Sequence, residues 1–456
     1  MKNICQSTML VLIAVFSINM FSGCSTDNTY SGEKKRSIAQ KKYSLIELQS
    51  DFNQLKEIIE HQNPKLFADK QELSDIFESQ YTLLQENMGL LDFYRIVSPI
   101  ISKVRCGHTN LSIPYSYYSF MRVNAKYLPF KFFISDKRLF ITENISDMTI
   151  PVGSEILSTN GVTSDEIINK LLNNLTADGQ NETHKYYMMN NWFNSYFYYY
   201  IDNSDTFKIA YLEPNELKEN TISVNSSSKI DEPAMRSYFQ AGKEHEQYEK
   251  KIETNYAVLT IKTFKLHDKE NYQKFLQDFF MEIDGKKIKN LILDLRGNWG
   301  GDPYCSSKLL SYLIYEPVQY FNDDMPSLSS HVYSKLTSPM PPAQSNFKGN
   351  LYTLINGGCF SSTGHLCSLL KYHKIGKFIG SETGGSYVCT DGSKDITLQY
   401  THLGLRYSTT PFKTEVTGLE FGRGIIPDYK INKTIEDVLL HKDVEMATAL
   451  KLLNIK

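Results

Sequence analysis

From Tyr256 onward the sequence alternates apolar, strand-like runs with helical segments. The order is strand Tyr256–Ile261, helix Glu270–Ile283, strand Asn290–Leu295, helix Pro303–Tyr315, strand Leu351–Ile355, helix Thr363–Lys371 and strand Phe378–Gly380. Few folds accept such a series. Parallel strands cannot be joined by a tight turn, so a helix between two strands serves as the crossover, and repeated crossovers build an α/β core on a largely parallel sheet. The run Asn290-Leu291-Ile292-Leu293-Asp294-Leu295 is apolar at consecutive positions rather than alternate ones. That pattern suits a strand covered on both faces.

Two turns in this series carry chemistry. The strand at 290–295 runs into Arg296-Gly297-Asn298-Trp299-Gly300-Gly301-Asp302, where glycines allow close backbone approach and can aim N–H groups at a ligand. The strand at 351–355 runs into Gly357-Gly358-Cys359-Phe360-Ser361-Ser362 and then a helix. A serine at that junction stands beside unpaired N–H groups and the positive end of the helix dipole. Such a serine is placed either to attack a substrate or simply to cap the helix.

Taken together, the two turns resemble those of the C-terminal-processing and tricorn-core serine peptidases. Asp294–Gly301 (DLRGNWGG) resembles that family's strand-and-turn signature, Gly357–His365 (GGCFSSTGH) its nucleophile turn, and Glu382-Thr383-Gly384-Gly385 follows the next strand as expected. The resemblance runs from about Tyr43 to the C-terminus. It implies a crotonase-like (Clp protease-like) α/β core with an N-terminal helical bundle and a PDZ-like domain, and a serine peptidase acting on peptides or proteins. One branch of the family uses a lysine base about two dozen residues after the serine. Here no lysine lies between Lys377 and Lys394, Ser386 stands near the required position, and Lys371 would sit about 15 Å along the helix axis. The histidine, tricorn-like branch remains, and Cys106-Gly107-His108-Thr109 resembles the element that supplies its base.

The resemblance therefore implies Ser361 as nucleophile, His108 as base and Glu420, in Gly418–Asp428, as the acid that tunes the histidine. It implies an oxyanion hole from the backbone of Gly300 or Gly301 and of Ser362. The chemistry is coherent, because a serine hydroxyl is a poor nucleophile until an imidazole takes its proton. One position departs from the pattern: Gly107 stands where tricorn-like members carry a serine of their tetrad. That departure motivates an alternative, a catalytically inactive peptide- or glycan-binding surface lipoprotein on a peptidase fold. Cys359 beside the serine raises the further option of a thiol nucleophile. No metal-ligand spacing is evident and the chemistry requires no cofactor.

The N-terminus points to export. Lys2 precedes the apolar stretch Met9–Phe21, whose thirteen residues would span about 20 Å as a helix, short of the hydrocarbon core of a bilayer. Phe21-Ser22-Gly23-Cys24 resembles a bacterial lipobox, which implies cleavage before Cys24 and lipidation of its thiol. The expected organisation is a signal peptide (1–23), a polar tether (24–42), the helical bundle that supplies the base (43–115), the PDZ-like domain (116–230) and the peptidase core (231–456). The expected location is the cell envelope, on the periplasmic or surface side, with the membrane reached through the lipid. A net charge of −2 gives no electrostatic case for nucleic acid.

Local patterns fill in the rest. Ser44 and Glu47 form a capping box ahead of Leu48, Phe52, Leu55 and Ile58, and helices are expected at Gln71–Asn87 and Leu91–Val104. Strands are expected at Leu128–Ile134 and Arg138–Thr142 and a helix at Ser164–Leu172; with Pro151–Val162 this part resembles the later half of a PDZ-like domain. The aromatic cluster Trp192–Tyr200 reads as a β core or edge. Beyond Cys24, the five cysteines Cys106, Cys305, Cys359, Cys367 and Cys389 leave at least one thiol unpaired.

Overall fold

The computed structural model describes residues 40–228, 247–323, 333 and 335–454. The leader, Cys24 and the tether up to residue 39 lie outside the described residues.

The centre of the molecule is a six-stranded sheet. Its spatial order is Tyr429–Lys430, Lys377–Gly380, Asn350–Ile355, Asn290–Asp294, Ala257–Ile261 and Tyr248–Ile252. All neighbours are parallel except the last pair. Leu291 and Leu293 point into one apolar layer with Phe279 and Leu309, from the helices Lys269–Gly285 and Pro303–Ser311, and Leu366, from Ser362–Tyr372. Ile292 points into a second layer that includes Ala449 of the C-terminal helix Val444–Leu452. Cover on both faces is why the strand tolerates consecutive apolar residues, each such side chain contributing about 1.5–3 kcal/mol on burial.

This topology positions the site. In a parallel sheet every strand ends on the same edge, and Asp294 is the register partner of Leu354. The turns after these two neighbouring strands, the glycine turn and the serine turn, therefore leave the sheet side by side.

On the N-terminal side, the helices Leu45–His61, Lys70–Tyr81 and Leu90–Lys103 pack in sequence. The Ser44–Glu47 capping box forms as expected. The second helix stops at Tyr81 rather than near Asn87, because the chain turns back to pair Met88 with Tyr43, using a positive φ of 63° at Asn87. After the third helix, the short strand Asn110–Ser112 pairs antiparallel with Gly404–Tyr407, which in turn pairs with Lys394–Thr397. A further unit lies between these segments in the chain. An antiparallel sheet runs in the order Phe130–Ser135, Arg138–Asn144, Glu155–Thr159, Thr206–Leu212, Glu219–Asn225, with Val162–Thr163 on Glu155–Thr159 and the helix Ser164–Asn174 against it.

The aromatic cluster differs from its β expectation. It belongs to the helix Glu182–Tyr200, kinked at Trp192 (φ −138°, ψ 34°). The residues are core, but nearly every face of this helix is covered, so Met188, Met189, Trp192, Phe193, Phe197 and Tyr198 are all buried. With polar His184, Asn194 and Ser195 buried alongside the aromatics, the segment carries no clear apolar stripe at the helical period. The five described cysteines are all free and buried. No helix among the described residues is long and apolar enough to cross a membrane.

Candidate active site

Ser361 is held in an uncommon backbone conformation, φ 54° and ψ −127°. A non-glycine residue in this region costs about 1–3 kcal/mol, tolerated only where surroundings fix it. Those surroundings are the two turns and the segment 382–385, stitched together. Phe360 N–H donates to the Asn298 carbonyl (3.0 Å), Gly385 N–H to the Cys359 carbonyl (2.8 Å), and Asn356 Oδ1 accepts from both Gly297 N–H (2.9 Å) and Gly358 N–H (3.0 Å). Ser361 precedes the helix Ser362–Tyr372 but makes no side-chain cap bond. Its Oγ instead lies 3.1 Å from His108 Nε2. The neighbouring thiol is unsuited to attack: Cys359 is buried, its Sγ donates to the Leu295 carbonyl (3.0 Å), and burial pushes its pKa up to about 12.

Gly300 and Gly301 play different parts. A Cβ on Gly300 would stand 2.6 Å from the Phe360 carbonyl oxygen, 2.8 Å from Ser361 Cβ and 3.0 Å from Ser362 N, so the glycine turn lies directly against the serine turn. Gly300 N–H, however, donates to Asn298 Oδ1 (2.9 Å). Gly301 N–H and Ser362 N–H have no hydrogen-bond partner among the described residues. Gly301 rather than Gly300 thus has an unengaged donor, next in the chain to the glycine that lies against Ser361 and Ser362.

His108 reaches the serine from the other end of the chain. The helix Leu90–Lys103 ends, Arg105 takes a positive φ of 55°, and the chain enters the strand Asn110–Ser112. Buried polar groups anchor this segment: Cys106 Sγ lies 2.9 Å from Thr390 Oγ1, Thr109 Oγ1 lies 3.3 Å from Ser408 Oγ, and Asn63 Nδ2 donates to Thr109 Oγ1 (3.1 Å). The imidazole packs on the ring of Phe360 (centroids 4.7 Å apart), which also stacks with His184 (4.6 Å). His184 Nδ1–H donates to the Gly357 carbonyl (2.8 Å), and burial pushes its pKa down to about 4, so it is a neutral brace for the serine turn.

Two acids approach His108. Asp391 Oδ2 lies 3.8 Å from Nε2. Asp178 is buried; its Oδ1 accepts from Gly107 N–H (2.8 Å), while its Oδ2 has no partner. His108 Nδ1 is likewise buried without a partner. Burial pulls the His108 pKa down, but Asp391, the Cys106 sulfur and Asp178 outweigh it and raise the value to about 9. Burial pushes Asp178 up to about 6 against the opposing pull of His108 and the Gly107 N–H. Asp391, despite burial acting upward, is held below the usual carboxylate value by His108, Ser393 and Arg406.

Glu420 does not join this group. It is exposed, in a turn where its charge acts on Arg423, and no hydrogen bond or ion pair among the described residues links it to His108. The acid held firmly in that region is Glu382, which accepts from Arg423 Nη2 (2.7 Å) and Gly424 N–H (2.8 Å). Sequence reasoning missed Asp178 and Asp391. Each precedes a glycine, Asp178-Gly179 and Asp391-Gly392, and so reads as an ordinary turn acid. Lys371 is paired with Asp428 (3.1 Å) rather than with the serine.

Comparison with known proteins follows the same outline. Residues 255–431 match the family model described as Peptidase family S41. No curated protein matches the chain. Among solved structures, mature CPAF complexed with lactacystin is similar with a TM-score of 0.64 at 14% identity, covering 90% of this chain and 98% of that one. Another structure of mature CPAF gives 0.61 at 14%, covering 90% and 96%. At this identity the likeness shows a shared fold. The photosystem II D1 C-terminal processing protease reaches 0.41 at 13% identity, covering 84% of this chain and 93% of that one, too loose to bear on the argument.

Proposed function

We propose that this protein is a serine peptidase in which Ser361 attacks a peptide carbonyl and His108 moves the proton. The observation that carries the reading is the 3.1 Å approach of Ser361 Oγ to His108 Nε2, with the serine on a strained turn and its hydroxyl not spent on a helix cap. His108 accepts the serine proton as the tetrahedral intermediate forms and returns it to the leaving amine. The oxyanion is met by the N–H groups of Gly301 and Ser362, reinforced by the positive end of the helix Ser362–Tyr372. The imidazolium formed in that step faces Asp391 and lies beside Asp178. An acyl-enzyme results, and water resolves it with His108 again acting as base.

The rest of the reading is built on sequence. The sheet spanning residues 130–225, with the helix Ser164–Asn174 against it, serves as a PDZ-like module that holds the substrate chain by strand addition. Cys24 carries lipid and tethers the enzyme to a membrane of the cell envelope, with a peptide or protein as substrate.

The test is labelling of the full chain by a fluorophosphonate. Wild type labels, Ser361→Ala does not, and His108→Ala labels at least about a hundredfold more slowly. A folded wild-type chain that never labels overturns the proposal. Lactacystin, with which mature CPAF is complexed, is a second probe and should protect Ser361 from the label.

A further inference from the structure

We propose that Cys106, His108 and Asp178 form a zinc site that, when filled, disables Ser361. The inference rests on the base assigned to His108 above. One sulfur, one ring nitrogen and one carboxylate oxygen from these residues lie within 4.8 Å of one another. Cys106 and Asp178 are each only 2% exposed, and Asp178 Oδ2 and His108 Nδ1 are buried with no hydrogen-bond partner. Buried polar atoms left unpaired cost free energy, so a group that satisfies both is bound more readily than at an open surface.

The donor set selects the metal. Sulfur, imidazole nitrogen and a single carboxylate oxygen suit zinc, whose bonds to them run about 2.0–2.3 Å in a tetrahedron. Such bonds put the donors about 3.5 Å apart, so closing the site requires side-chain movements of about an ångström. Supporting contacts are already present. Thr390 Oγ1 and Ser408 Oγ lie 2.9 and 3.4 Å from the Cys106 sulfur, where hydroxyl donors stabilise a thiolate, and Gly107 N–H fixes the other oxygen of Asp178. Three protein ligands leave the fourth position to water.

Binding at either ring nitrogen removes the base. If zinc takes the lone pair of Nδ1, the one remaining ring proton sits on Nε2, facing Ser361 Oγ, and cannot be exchanged for the serine's. If zinc takes Nε2, the acceptor itself is occupied. The thiol proton of Cys106 is released to solvent as the metal enters.

The experiment uses the full chain and zinc sulfate, read in two ways. Competition with a chromophoric chelator, and cobalt substitution with its thiolate-to-metal absorption band, report the site without reference to activity. Fluorophosphonate labelling reports the serine. One equivalent of zinc should bind and slow labelling at least tenfold, with full recovery on chelation. Cys106→Ser should lose the cobalt band and bind zinc at least about tenfold more weakly, and Asp178→Asn should bind it more weakly too, each variant's labelling being compared with its own zinc-free rate. Zinc that fails to bind, or that binds and inhibits Cys106→Ser as it does wild type, overturns the proposal while leaving the peptidase reading intact. A chain that never labels in zinc-free buffer refutes the peptidase reading, and the switch with it, even where the cobalt band appears.

Discussion

Gly107 faces the ring of Phe360 so closely that a Cβ at residue 107 would stand 2.5 Å from Cζ and 2.8 Å from Cε2. The space a tetrad serine would need is therefore filled by an aromatic ring, and that same ring supports the His108 imidazole. Gly107 is a packing requirement of this arrangement, which removes the motive for reading it as a sign of lost turnover.

It follows that Gly107→Ser should impair rather than improve the site. The serine must displace either Phe360 or His108, and a displacement of about 1 Å at a reacting group can cost about a hundredfold. Fluorophosphonate labelling of Gly107→Ser should fall at least tenfold and recover in part when Phe360→Leu is added. Labelling at the wild-type rate would show that a side chain is accommodated and that the fit described here is wrong.

The pH dependence has a definite sign. In the proposed mechanism the free imidazole is the active form, so a His108 pKa of about 9 predicts labelling that rises with pH through neutrality and levels off above about 9. At pH 7 the protonated form predominates. Asp391 is the leading group that raises the value against burial, so Asp391→Asn should move the limb to lower pH by about 1–3 units and speed labelling at pH 7. Glu420→Gln, at an exposed position, should leave the limb in place. A limb that moves for Glu420→Gln and not for Asp391→Asn would reverse the assignment.

Strain at Ser361 predicts a stability effect opposed to activity. Glycine relieves about 1–3 kcal/mol of conformational strain at φ 54° and gives back about 0.5–1 kcal/mol in chain entropy. Ser361→Gly should therefore unfold at a higher denaturant concentration than Ser361→Ala, by roughly 0.5–2 kcal/mol, while neither variant labels. Equal stability of the two in a denaturant titration would mean the turn is not strained.

Cys359 provides a control for the identity of the nucleophile. With its thiol buried and pushed up to about 12, Cys359→Ala should retain labelling and lose about 1 kcal/mol of stability. Loss of labelling in a variant that remains folded by circular dichroism would return the thiol to consideration.

Local features of this protein were written in its sequence because their causes are local. The capping box at Ser44 depends on a residue three positions away, and the strand Asn290–Asp294 shows its two-sided burial as an unbroken apolar run. The alternation from Tyr256 onward fixed the order of strands and crossover helices, and with it the edge where the glycine and serine turns meet. The motifs around Ser361 and His108 are each spelled out within a few neighbouring residues, and the fold brings these two side chains to 3.1 Å.

What only the tertiary structure decided depends on direction and on distance through space. Sequence does not say which N–H in Gly300-Gly301 is already engaged, because that turns on where Asn298 Oδ1 points. It does not show Phe360 filling the space beside Gly107, nor the aromatic helix Glu182–Tyr200 covered on nearly every face. Glu420 matched a motif yet lies exposed, whereas Asp178 and Asp391, unremarkable turn acids in the chain, set the charge around His108. Electrostatic influence falls with separation in space and takes no account of separation along the chain, so the acids that matter to an imidazole are those the fold carries to it.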